Sequence, residues 1–250
     1  MSETTSRPRA ILVIGGTRGL GLAIACKLAG PGVTLILNYV ADDAAAATAA
    51  QAVAARGARV KLVRADAATP EGAAAIIVEA EKISAHLDVI VHCAGIASPG
   101  LLVEQDLETI RRTIEVGGMS LLYVVRAALR ILARYSSVIY LSGGAVDMAT
   151  AGGGARAMAK ALGECMLRYL VTECAHLAIN FNTVRSGAVD TGVFRAAAGS
   201  PNALPAITLT GERLGVDDVA NAVALLLSDG ARMIRGQTIR VDGGLSIKRS

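Results

Sequence analysis

The sequence predicts an α/β fold: a doubly wound, seven-stranded parallel sheet with helices on both faces. Three observations carry this. Short apolar runs alternate with helical stretches from one end to the other. The first run, Ala10 to Ile14, stops at a glycine-rich turn that opens a helix. No linker, repeat or composition break divides the 250 residues, so 1–250 reads as one domain.

The elements follow in order. Ala10 to Ile14 is continuously apolar, as a strand buried on both faces must be. A helix starts near Gly19, and Val33 to Leu37 is the second strand, after the Pro31-Gly32 turn. Ala41 to Ala55 is alanine-rich and helical by propensity. Val60 to Val63 is the third strand, and Pro70 to Ala85 a helix with proline in its first turn. Val89 to Val91 is the fourth strand, Leu107 to Ala133 a long helix, and Val138 to Leu141 the fifth strand. A second long helix covers Gly154 to Glu173, and Ala178 to Phe181 is the sixth strand. Thr191 to Gly211 holds Pro201 and Pro205 and reads as a mobile loop with room for a short helix; about 192–214 is expected to cover the substrate. Val216 to Leu227 is helical and Thr238 to Val241 is the last strand. Gly117-Gly118 weakens its helix by roughly 1 kcal/mol per glycine and marks a kink or a close approach by a ligand or another chain.

Composition excludes several classes. Hydrophobic residues make up 53% and charged residues 18%, which supports a large core and argues against disorder. The net charge of +4 is mild and scattered, with no basic–aromatic stripe, so no nucleic-acid partner is expected. Cys26, Cys93, Cys165 and Cys174 lack paired spacing, and with only His86, His92 and His176 beside them no metal site is expected. The start of the chain is polar and no long apolar run occurs, so the expectation is a cytoplasmic protein with no membrane contact.

The turn Gly15-Gly16-Thr17-Arg18-Gly19-Leu20-Gly21 sits between a strand and a helix. Glycines there let the backbone approach a pyrophosphate, and the helix N-terminus supplies free N–H groups and positive potential. This is the Rossmann arrangement for a dinucleotide. It resembles the glycine fingerprint of short-chain dehydrogenases/reductases, with Ile14 in place of the family threonine. The resemblance spans nearly the whole chain. Asp66 and Ala67 follow the third strand, where the family contacts adenine; His92-Cys93-Ala94-Gly95 corresponds to the family's Asn-Asn-Ala-Gly. The segment from Asn182 through Gly187 and Val189 to Thr191 corresponds to the one beside the nicotinamide, and Ile234 to Gly244 is a typical ending. The segments Leu167 to Leu170 and Met233 to Thr238 look nearest to the enoyl-thioester-reductase branch.

The resemblance implies a nicotinamide cofactor, a small-molecule substrate and a homodimer or homotetramer. The cofactor-binding residues it points to are Gly15, Thr17, Arg18, Gly19, Leu20, Asn38, Tyr39, Asp66, Ala67, Ala94, Gly95, Lys160, Gly187, Val189 and Thr191. Asn38 and Tyr39 occupy the place where NAD-binding members carry an acid for the ribose 2′-OH. Asp42 and Asp43 come too late and belong to the next helix, while Arg18 is placed to pair with a 2′-phosphate. NADP(H) is therefore expected over NAD(H).

The family's chemistry uses Ser, Tyr, Lys and Asn. Lys160 matches the lysine, but Arg156 stands at the tyrosine position, Gly143 at the serine and Gly117 at the asparagine. Arg156 and Lys160 are i and i+4 on one helix face, so the two cations are the candidate catalytic pair. Lys160 pairing with Glu164 one turn on is the purely structural alternative. Ser142 is expected on the opposite strand face together with Tyr140, and Asp147 and Thr150 are loop candidates for the substrate pocket. Leu121, Leu122, Val125 and Leu129, with Met166, Leu167 and Leu170, are either core or subunit contact. The reading is an atypical NADPH-dependent reductase of a carbonyl or conjugated enone or enoyl group. The alternatives are a non-redox enzyme of dehydratase or cyclase type on this scaffold and a catalytically silent cofactor-binding protein.

Overall fold

The structure, a computed structural model, describes residues 9–198 and 207–247. Seven parallel strands form one sheet in the order β3-β2-β1-β4-β5-β6-β7. They are β1 (Arg9–Ile14), β2 (Val33–Tyr39), β3 (Arg59–Arg64), β4 (Leu87–His92), β5 (Leu132–Gly143), β6 (Asn180–Ser186) and β7 (Thr238–Val241). The order reverses between β1 and β4, and that switch point opens a crevice at the carboxyl ends of the strands.

The helices are α1 (Gly19–Leu28), α2 (Asp43–Ala54), α3 (Pro70–Glu81), α4 (Leu107–Ile114), α5 (Ser120–Ala128), α6 (Gly154–Glu173), α7 (Gly192–Ala197) and α8 (Val216–Leu226). Buried residues form two separate clusters, one per sheet face. Leu12, Ile90 and Tyr140 pack with α3, α5 and α6 on one side. Val13, Val91 and Val184 pack with α1, α2 and α8 on the other. This is why the central strands read as unbroken apolar runs rather than as alternation. Among the described residues no helix is long and apolar enough to cross a membrane.

Two expectations about elements change. The long helix is broken at Gly117-Gly118 by a π turn, Glu115–Met119, and ends at Ala128. Residues 129–131 form a turn, and Leu132 and Ala133 already belong to β5, because pairing of Leu132 with Leu87 outweighs helical propensity there. β6 begins at Asn180 and runs to Ser186; Ala178 instead adopts a left-handed turn at φ 57°. The short helix allowed for after Thr191 is present as Gly192–Ala197, and Ile207 bridges Arg213. Pro201 and Pro205 lie outside the described residues.

Of the residues considered for subunit contact, Leu121, Val125, Leu167 and Leu170 are buried in this chain's own core. Leu122, Leu129 and Met166 pack partly against the same cluster.

Candidate active site

Four segments converge at the switch point. Gly15 holds φ +71°, and a Cβ there would come within 3.3 Å of the Ala94 backbone nitrogen at the end of β4. A Cβ on Gly21 would meet the Gly15 carbonyl oxygen at 2.1 Å, so the turn closes only with glycine. A Cβ on Gly19 would lie 3.6 Å from Thr191 Cγ2, which brings the segment after β6 against the turn. A Cβ on Gly95 would lie 3.7 Å from Lys160 Nζ. Sequence positions as far apart as 15, 94, 160 and 191 thus share one crevice.

The first turn of α1 has no side-chain cap, whereas Asp42, Thr69 and Asp106 cap α2, α3 and α4. Its leading N–H groups are left for an anion. Thr17 is buried in the turn. Bare backbone, forced glycines and an uncapped helix fit a pyrophosphate at this place.

The carboxyl ends of β2 and β3 are more crowded. Asn38 is buried and its amide donates to the carbonyls of Val63 and Ala65 at 3.2 and 2.9 Å, tying β2 to β3. That side chain is thus committed to the sheet. Asp42 caps α2 by accepting from Ala45 N, and Asp43 opens the helix, as expected from their spacing. Asp43 also holds the Tyr39 hydroxyl at 2.8 Å and Arg64 at 3.1 Å. Arg18 is exposed, 3.4 Å from Asp42, a weak surface pair. Asp66 accepts from Ala68 N at 3.0 Å and pairs with Arg112 at 2.5 Å, which pins it at the crevice wall beside buried Ala67. Leu20 packs partly against the α1 side of the core, and Val189 is buried in it. A Cβ on Gly187 would come within 3.1 Å of Asp242 Cβ, so the chain after β6 runs close beside that after β7.

Lys160 projects from α6 to the end of β4, where its ammonium donates to the Ala94 carbonyl at 2.9 Å. It also lies 4.8 Å from the centre of the Tyr140 ring. Burial lowers its pKa from 10.5 to about 8, with the charge of Glu164 pulling the other way. Glu164 does not pair with Lys160. It is buried and held by Arg185, with Ser142 Oγ donating to it at 2.5 Å. Asp147 bridges Arg185 and Arg240, so it serves this network rather than an open pocket.

Arg156, one turn before Lys160, is half-buried. Burial lowers its pKa, and its Nε has no hydrogen-bond partner. No carboxylate pairs with it among the described residues. Gly143 ends β5 with open space around the position of a Cβ. Gly117 sits in the π turn, where a Cβ would meet Ala159 Cβ at 3.0 Å.

Behind the crevice, His92 is buried and hydrogen-bonds Ser120 Oγ through Nε2 at 2.7 Å. Ser120 donates to the Val116 carbonyl, so His92 Nε2 is the donor to Ser120 and Nδ1 is left bare. Burial, then the charge of Lys160, lowers the His92 pKa from 6.5 to about 3. Burial likewise pushes the Cys93 thiol up to about 12. Neither side chain is ionised at neutral pH. Tyr140 donates to the Gly117 carbonyl at 2.5 Å, and Tyr140 and Ser142 do share one strand face, turned toward α6. The Glu164–Arg185–Asp147 network was not expected; its members are 21 and 38 residues apart and carry no spacing signal.

A family described as enoyl-(acyl carrier protein) reductase matches residues 15–246. A 1-cyclohexenylcarbonyl-CoA reductase from Streptomyces collinus is 31% identical, covering 98% of this chain and 89% of its own. The 3-oxoacyl-[acyl-carrier-protein] reductase of Escherichia coli is also 31% identical, covering 94% and 96%. Among solved structures, a short-chain dehydrogenase from Burkholderia cenocepacia in complex with NADP superimposes with a TM-score of 0.87 at 26% identity, over 97% of this chain and 99% of that one. With the switch-point crevice, the glycine turn and Lys160 in place, these matches show that the chain belongs to the short-chain dehydrogenase/reductase family of oxidoreductases.

Proposed function

We propose that the chain is an NADP(H)-dependent reductase of a carbonyl or conjugated enone or enoyl group that works without the family's Ser–Tyr acid. The observation that carries this reading is the pair Arg156 and Lys160. They lie one turn apart on α6, Lys160 with its ammonium anchored on the Ala94 carbonyl and Arg156 with an Nε that has no hydrogen-bond partner. The nicotinamide, when bound, supplies the hydride. Lys160 holds the ribose hydroxyls, and Arg18 pairs with the 2′-phosphate once released from Asp42. Arg156 stabilises the oxyanion that develops on the substrate as the hydride arrives at carbon. Arginine does not give up its proton at working pH, so water protonates the product. An acceptor that is already activated, such as a conjugated thioester, suits a site of this kind. The coenzyme A thioester in the Streptomyces relative's name and the NADP in the Burkholderia structure support the reading.

A titration with NADPH and NADH tests it first, followed by NADPH consumption with conjugated carbonyl probes. NADPH is expected to bind at least ten-fold more tightly than NADH, and Arg18→Gln to abolish that preference. Arg156→Gln is expected to slow turnover by about 10²-fold, the order seen for losing one oxyanion donor. Failure to bind either cofactor overturns the reading. The glycines at 117 and 143 favour a second reading, a silent cofactor-binding protein, which binding without turnover of any probe would support.

A further inference from the structure

At the amino-terminal edge of the sheet, opposite the glycine turn, lies a cleft of about 300 Å³ between the starts of β5 and β6 and the turn after α8. Arg9, Arg134, Arg232 and Arg235 line it, with Asp88 and Asp229. Four cations against two carboxylates leave two positive charges in excess. Asp88 is moreover engaged by the Ala10 backbone N–H at 2.8 Å. Among the described residues no ion pair to a carboxylate forms at Arg134, Arg232 or Arg235. Among the described residues the Arg235 guanidinium donates to the Ile179 carbonyl alone, at 3.4 Å.

Two further features mark the cleft as built. Ser136 lines it, is 3% exposed, and its hydroxyl has no hydrogen-bond partner. A buried hydroxyl without a partner is costly, and one at the wall of the cleft is met by a group bound there. Beside it Tyr135 holds a left-handed backbone at φ 67°, a conformation an aromatic residue rarely keeps unless its surroundings impose it. Arg134 lies 5.1 Å over the Tyr135 ring. The Tyr135 phenol pKa is lowered by the Arg134 hydrogen bond and charge, and then by Arg232 and Arg235, so the field in the cleft is positive.

We propose that this cleft binds a small phosphate-bearing anion, at a site separate from the cofactor crevice. Guanidinium forks match phosphate oxygens in pairs, and a phosphate carries about 1.5 to 2 negative charges at neutral pH. That balances the excess better than a single carboxylate, and the Ser136 hydroxyl supplies a further donor. β5 separates the two sites by roughly 20 Å, so the ligand does not take part in hydride transfer.

Calorimetry on the full chain, in phosphate-free buffer, tests this with inorganic phosphate and with glycerol 3-phosphate. Arg232→Gln/Arg235→Gln is expected to weaken binding of either anion at least ten-fold, and Ser136→Ala several-fold, with NADPH affinity unchanged in both. Equal affinity for the two anions identifies the phosphate group alone as the ligand; tighter binding of the ester identifies a phosphorylated metabolite. No binding of either anion at millimolar concentration overturns the proposal. So does binding that the variants leave intact, which would place the anion at the glycine turn. Should the double variant fold poorly, Ser136→Ala and Arg134→Gln carry the same comparison.

Discussion

Burial holds the Lys160 ammonium at a pKa of about 8, so its charge is lost inside the usual assay range. NADPH affinity is therefore expected to weaken as pH rises through about 8, and to stay flat to about pH 10 in Lys160→Arg, whose guanidinium keeps its proton. Fluorescence titrations across that range check it. His92 acts on stability instead. Its folded pKa of about 3 lies below its ordinary 6.5, so between those values the unfolded chain binds more protons. The neutral, buried form stabilises the fold above 6.5 and that contribution is lost as pH falls, at roughly 1.4 kcal/mol per pH unit. Urea unfolding at pH 6.5 and 4.5 is expected to differ by about 2–3 kcal/mol more in the wild type than in His92→Gln. Gly143 offers a constructive test. Nothing stands within 4 Å of a Cβ there, so Gly143→Ser fits without repacking. Combined with Arg156→Tyr, it is expected to raise turnover of a simple ketone by about 10²-fold; no gain would mean that pocket shape, not the missing acid, limits the reaction.

The contact of α6 with the sheet and with the π turn depends on small residues. A Cβ on Gly163 would meet the Tyr140 ring at 2.2 Å, and one on Gly118 would meet the Ala159 carbonyl at 2.8 Å. The close approach marked by Gly117-Gly118 is thus made by α6 of the same chain. It lets Tyr140, fully buried, reach the Gly117 carbonyl and sit under Lys160. Gly163→Ala is expected to destabilise by about 1–3 kcal/mol through overpacking. The cost should shrink in a Tyr140→Leu background, a coupling that a double-mutant cycle measures.

Across the whole molecule, the Glu164–Arg185 pair ties α6 to β6, and Asp147 extends it to Arg240 on β7. The pair is dry, with side-chain exposures of 9% for Arg185 and 5% for Glu164. Removing one partner strands a buried charge, so Glu164→Gln is expected to cost about 3–5 kcal/mol. Arg240 is exposed at the end of the network, and Arg240→Gln is expected to cost under about 1 kcal/mol. Chemical unfolding of the two variants side by side checks the contrast.

Local features were readable in the sequence wherever the physics is local. Apolar runs such as Ala10–Ile14 mark strands buried on both faces, and the Gly15–Gly21 turn marks the crevice because its backbone constraint is met within a few residues. The i, i+4 placement of Arg156 and Lys160 and the shared face of Tyr140 and Ser142 follow from helix and strand periods alone. Tertiary structure decided what depends on distant partners. It set the end of α5 through β4–β5 pairing, assigned Asn38 to the β3 carbonyls and gave Glu164 to Arg185 rather than to Lys160. It also turned Leu121, Val125, Leu167 and Leu170 inward. A side chain's partner is chosen by which groups folding leaves buried and unsatisfied beside it, and no spacing along the chain encodes that choice.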